Sequence, residues 1–197
     1  MKKILVSLAL AAPLSLVAPL GHAVNTEYLA NLNGQAESPP NSSPGLSRSV
    51  VSIDASTRAL SMHIPFFDLT GGTMAAHIHC CTSAPLTGVA PVATMLPSLA
   101  DFPMGVTTGT YERSFNLDDP GFYSPDFLSA NGGTPQTAAS ALIYGINAHQ
   151  AYLNIHTAAF PAGEVRGFLV SAIPEPDSWA MLGAGLAGLA LCMRRRA

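Results

Sequence analysis

Between residues 24 and 172 the chain has no lysine, and its only cations there are Arg48, Arg58, Arg113 and Arg166. Ten carboxylates share that span, giving a net charge of −6. With no basic stripe there is no electrostatic footprint for nucleic acid, and that partner class is excluded. The same field attracts cations, and leaves anionic polysaccharide unattracted unless a divalent ion bridges the two. Familiar catalytic signatures are missing as well. There is no Gly-x-Ser-x-Gly elbow, no phosphate-cradling glycine loop and no His-Glu-x-x-His pair, so no catalytic residue is assigned. The spaced carboxylates of a calcium loop are also absent, which leaves Asp118-Asp119-Pro120-Gly121 as a turn. Cysteine is scarce: Cys80 and Cys81 are adjacent, and Cys192 lies far downstream.

The long apolar runs are confined to the two ends. Lys2-Lys3 precede an apolar stretch from Ile4 to Leu20, and Gly21-His22-Ala23 offers the small residues that a signal peptidase reads. Residues 1–23 are therefore expected to be a signal peptide cleaved after Ala23, which removes His22 from any site. Pro13 and Pro19 interrupt the run and disfavour a retained membrane helix. At the other end, residues 173–197 form a tail in which Trp179 to Met193 is unbroken apolar sequence. Those fifteen residues make a helix of about 22 Å, expected to cross the membrane with Trp179 at one interface and snorkelling arginines at the other. Positive charge stays cytoplasmic, so everything before Pro174 is expected outside the cytoplasm.

The order Pro174-Glu175-Pro176, apolar helix, Arg194-Arg195-Arg196 resembles the PEP-CTERM sorting signal of Gram-negative bacteria. That resemblance implies recognition by an exosortase in the inner membrane and a destination at the cell surface or in an extracellular polysaccharide matrix. Signal peptidase and exosortase are then the processing partners, and surface proteins or polysaccharide the final ones.

Residues 24–172 are one domain's worth of chain. Strand signals dominate it. Glu27–Asn33 is followed by a polar, proline-rich break, and residues 50–55 alternate with period two. Asp54-Ala55-Ser56-Thr57 reads as a hairpin turn into Ala59–Phe67. Further strands are expected at Met74–His79, Gly105–Phe115, Ala151–His156 and Glu164–Ser171. The proline-rich stretches 85–103 and 120–135 read as loops, and Ala138–Tyr144 as one short helix. Many short strands with turn signals predict an all-β, antiparallel β-sandwich.

Three ordered motifs in this domain resemble the CHRD (chordin-type) family. They are Leu32-Asn33-Gly34-Gln35-Ala36-Glu37-Ser38-Pro39-Pro40, then Ala76-His77-Ile78-His79, and finally Tyr152-Leu153-Asn154-Ile155-His156-Thr157 with Pro161-Ala162-Gly163-Glu164-Val165-Arg166-Gly167. The chain departs from that pattern at Cys80-Cys81, where a Gly-Pro pair is usual, and in the insert from Thr82 to Pro103. The family implies little about activity.

The histidines say more. Alternate residues of a strand share a face, so His77 and His79 point together while Ala76 and Ile78 face the core. Tyr152, Asn154 and His156 share a face by the same rule. Should the two strands be neighbours, His77, His79 and His156 converge on the outer side of the β-layer, the ligand set that copper or zinc favours. The architecture has a distant likeness to the copper site of copper–zinc superoxide dismutases, a Greek-key sandwich. The bland reading is that these rings only hydrogen-bond nearby backbone. His63, in an apolar strand, is expected to be a core or edge residue.

Cys80 and Cys81 have three fates open in an oxidising compartment: a vicinal disulfide, a bridge to another chain, or thiolate ligation beside His79. Asn154, Glu164 and Arg166 belong to the closing strands. Glu164 and Arg166 are expected to share a strand face, either as a charged clamp for a ligand or as a structural ion pair or hydrogen-bond network, with each other or with a neighbouring strand, that fixes the closing strand. A surface pair of that kind is worth only about 0–1 kcal/mol. Two functions of different class follow. One is an exported structural or interaction module in which a metal serves stability. The other is a periplasmic or surface copper protein, including an oxidoreductase, using the three histidines.

Overall fold

In strand after strand, side chains that alternate in sequence alternate in burial. The computed structural model describes residues 25–172, so the signal-peptide and transmembrane-tail expectations lie outside the described residues. Among the described residues no helix is long and apolar enough to cross a membrane.

The strands are β1 (Asn25–Asn33), β2 (Leu46–Asp54), β3 (Ala59–Phe67), β4 (Thr73–His79), β5 (Gly109–Asn116), β6 (Tyr152–Thr157), β7 (Val165–Phe168) and β8 (Val170–Ser171). All are paired antiparallel, in one eight-stranded sheet of order β4-β6-β7-β1-β2-β3-β5, with β8 extending the pairing on β1. The all-β antiparallel class expected from the sequence is what the structure shows. The sheet curls, and side chains from both of its halves meet in a single core. Tyr28, Ala30 and Leu32 of β1 join Val51, Ile53, Leu60, Ile64 and Phe66 there, together with Ala76, Ile78, Leu153 and Ile155.

The β2–β3 hairpin shows how a short polar segment sets register. The Asp54 carboxylate accepts from the Ser56 amide at 2.8 Å and the Thr57 amide at 3.2 Å, an Asx turn that reverses the chain. Asp54 then pairs with Ala59 and Ile53 with Leu60. A slip of one residue would turn Val51 and Ile53 to solvent.

The helical content exceeds the expectation. Helix α2 (Pro135–Asn147) is longer than Ala138–Tyr144, and a six-residue α1 (Pro125–Ala130) lies in a stretch read as loop. Both start by the same device: Ser124 and Thr134 cap the Phe127 and Thr137 amides, and a proline follows in the first turn. Helix α2 buries Ala138, Ala139, Leu142, Gly145 and Ile146, a stripe with helical spacing.

The stretch 85–103 is also more than a connector. Its central part runs along the free edge of β4: Cys80 N–H donates to Pro91 O at 3.1 Å, and Ala93 N–H to Ile78 O at 2.9 Å. Thr94 Oγ1 and Ser98 Oγ accept from the Ile78 and Ala76 amides. The edge that would otherwise be open to another chain is covered.

Candidate metal centre

Strands β4 and β6 are hydrogen-bonded neighbours, with Ala75 opposite His156, His77 opposite Asn154 and His79 opposite Tyr152. His77, His79 and His156 therefore lie on one face, offset by one pair. Their ring centroids are 5.3 Å (His77–His156) and 5.9 Å (the other two pairs) apart. One nitrogen from each ring lies within 4.8 Å of the others. Three nitrogens about 2.0–2.1 Å from one tetrahedral ion stand about 3.3 Å apart, so from a triangle of 4.8 Å sides each nitrogen would move inward by about 0.9 Å.

Each ring is held from behind by a backbone carbonyl. His77 Nε2 donates to Pro97 O at 2.8 Å, His79 Nδ1 to Ala90 O at 2.9 Å, and His156 Nδ1 to Pro161 O at 3.0 Å. A carbonyl only accepts, so the proton must be on the ring nitrogen facing it, and the tautomer is fixed. The other nitrogens, His77 Nδ1, His79 Nε2 and His156 Nε2, are buried without a partner. This is the arrangement that metal-ligating imidazoles adopt, with one N–H tied to an outer-shell acceptor.

The site is not on the outside of the β-layer, as expected, but covered. His77 and His79 are 5% and 8% exposed, and His156 is half-buried. Burial pushes all three pKa values down, His79 to about 4, with the neighbouring cationic forms adding to the effect at His77 and His79. The rings are neutral at pH 7, with lone pairs available.

Arg166 and Glu164 do not pair with each other, and neither is at the surface. Arg166 donates to Ala36 O and, at 3.0 Å, to Gly88 O, with the Glu37 carboxylate 3.9 Å away. Its guanidinium lies 4.8 Å from the centre of the Tyr152 ring, which in turn stacks on His79 at 4.8 Å. The cation thus sits behind a Tyr–His stack, and its charge helps hold His79 neutral. Burial raises the Glu37 pKa to about 7 despite Arg166. Asn154, opposite both His77 and Arg166, is buried with Oδ1 unpartnered. Gly163 makes room for it: a Cβ there would come within 2.7 Å of Asn154 Nδ2 and 2.9 Å of Glu37 Oε1.

Glu164 is 0% exposed. It accepts from Ser43 Oγ, Thr157 Oγ1 and Thr70 N at 2.5 Å each, and from Gly71 N at 3.3 Å. Burial pushes its pKa up, but these four donors outweigh that and hold it below the usual carboxylate range. The carboxylate ties the closing motif to two loops rather than to a ligand.

Cys80 and Cys81 are joined as a vicinal disulfide. Cys80 belongs to the apolar core and Cys81 is exposed; neither is in the three-histidine group. His63 is neither core nor edge: it is exposed on β3, between β2 and β5, with Nδ1 2.8 Å from Glu112 Oε1. Sequence reasoning missed the carbonyls of Ala90, Pro97 and Pro161, because any residue supplies a carbonyl. It also left Tyr152 without a role, although its place two residues before Asn154 put it on the right face.

No curated protein and no solved structure gives a significant match. The PEP-CTERM protein-sorting motif matches residues 172–196, which implies export and membrane-associated sorting by exosortase-type machinery in Gram-negative bacteria. Residues 28–169, from the first core strand to the last, match the CHRD domain, and the chain belongs to that family.

Proposed function

We propose that the mature protein is a surface or matrix module of a Gram-negative bacterium, with one divalent copper or zinc ion bound by His77, His79 and His156. The observation that carries the metal is the set of three buried, partnerless ring nitrogens, each on an imidazole whose opposite N–H is already tied to a carbonyl. Each of these bare nitrogens is buried without a hydrogen bond, and an electron-pair acceptor held among the three rings would satisfy them together. Neutral imidazoles suit copper and zinc; the absence of carboxylate from the group disfavours magnesium and calcium.

The ion serves structure more than turnover. His77 and His79 are nearly inaccessible, which leaves little room for a substrate beside the metal. One ion would crosslink β4 to β6, with the 90–97 segment held to it through the ring hydrogen bonds, and so rigidify the module for work outside the cell, on surface proteins or polysaccharide. Calorimetric titration of the full chain with zinc and with copper(II) tests the reading, with one ion per chain expected. Absence of a stoichiometric site for either metal would refute it. A copper form with superoxide- or peroxide-dependent turnover would move the assignment to an oxidoreductase.

A further inference from the structure

Beyond the histidines, the one concentration of reactive side chains among the described residues is the Cys80–Cys81 pair, at the end of β4. Its sulfurs pack against Gly145 of α2, where a Cβ would overlap both of them. The two residues are not equally accessible. Cys80 is 1% exposed and sits in the core, whereas Cys81 is exposed. Beside them is a mostly apolar cavity of about 350 Å³ whose lining includes both cysteines, Pro91, Phe127, Asn131 and Asp126. That volume is of the size that takes a small organic molecule or one side chain of a partner. Asp126 is the only charged residue in the lining, and it is exposed.

We infer that Cys80–Cys81 is a thiol–disulfide exchange site, entered through this cavity at Cys81 and selective for neutral or cationic thiols over anionic ones. Access decides which sulfur is attacked. A thiolate adds to Cys81 Sγ, the Cys80–Cys81 bond breaks, and its electron pair leaves on Cys80 Sγ, which takes a proton from water. A second thiolate attacks the incoming sulfur of the mixed disulfide, releasing an external disulfide. Cys81 Sγ then takes the second proton. Two thiols are oxidised to one disulfide, and two electrons reduce the pair. The Asp126 carboxylate repels an anionic thiol at the entrance.

The test uses the full chain with Cys192→Ser, so that only the pair is counted. Denatured, unreduced protein should give no reactive thiol; two would overturn the inference. With the pair separated, the free Cys81 of Cys80→Ser should react with iodoacetamide at least about tenfold faster than the free Cys80 of Cys81→Ser in native protein. Equal rates would overturn the assignment of Cys81 as the entry point. Finally, reduction by cysteamine and by thioglycolate is timed in wild type and in Asp126→Asn. The cysteamine-to-thioglycolate rate ratio should fall by about threefold in the variant at low salt. An unchanged ratio would remove the cavity from the proposal.

Discussion

His63 on β3 and His79 on β4 look alike in sequence and end in opposite environments. His63 lies between Met62 and Ile64, His79 between Ile78 and Cys80, and all four flanking residues are buried in the core. Each histidine therefore points away from that core. On the face of His63 lie solvent, Val50 of β2 and the exposed Glu112 of β5. Behind His79 stand Tyr152 in parallel stack, Ala90 O on one ring nitrogen, and two further imidazoles. A strand decides the direction of a side chain; what it meets there depends on the chain that returns to cover it.

The sharpest way to break this comparison is metal stoichiometry. The combined substitution of His77, His79 and His156 by alanine should abolish binding of one zinc or copper ion, while His63→Ala leaves stoichiometry and affinity unchanged. Loss of binding in His63→Ala would overturn the separation of the two faces.

Carboxylates extend the contrast. Removing Glu164 leaves Ser43, Thr157, Thr70 N and Gly71 N without their buried acceptor, so Glu164→Ala should cost about 3 kcal/mol in urea unfolding. Glu112→Ala breaks only the exposed pair with His63 and should cost under about 1 kcal/mol. Equal losses would show that burial is not what separates the two acids.

Acid gives a related effect of comparable or smaller size. Burial holds the folded His79 pKa at about 4, below its ordinary 6.5. The unfolded chain therefore takes up a proton that the folded chain refuses, and metal-free stability falls as pH drops from 6.5 towards 4. His77 and His156 shift in the same direction. The His79 contribution amounts to about 3 kcal/mol across the window. It should be read as the difference in unfolding free energy between metal-free wild type and His79→Gln at each pH. A flat difference would show that the ring is not buried in solution. Metal should be retained below the pH of about 6 at which ordinary imidazoles release it, because these rings resist protonation.

The smallest change is expected at His63 itself. His63→Gln should move stability by no more than about 0.5 kcal/mol, measured by the same denaturant titration. A larger loss would mean that the exposed face carries a partner or a contact of its own.

Much of this was legible in the residues. The alternation of residues 50–55, the Asp54 turn and the run Ala59–Phe67 appear in the structure as a hairpin with that same third strand. The i,i+2 placement of His77 and His79, and of Asn154 and His156, put each pair on one face before any coordinates did. The cover was not legible. Residues 85–103 have the proline and small-residue content of an ordinary loop, and their contribution to the site is mostly backbone. A hydrogen-bond network fixing the closing strand was legible in Glu164 and Arg166, but their burial was not. Charge in a short strand suggests surface, whereas here each charged group has enough hydrogen-bond partners to go inside.

Periodicity by itself determined which side chains share a face, because pleating and side-chain direction are local properties of a strand. The ordered motifs determined family and export route in the same local way. Only the tertiary structure decided that β4 lies beside β6, that a proline-rich segment closes over them, and that Cys80 is sealed while Cys81 is open. Those outcomes depend on contacts between residues far apart in sequence, made by backbone groups that every amino acid shares.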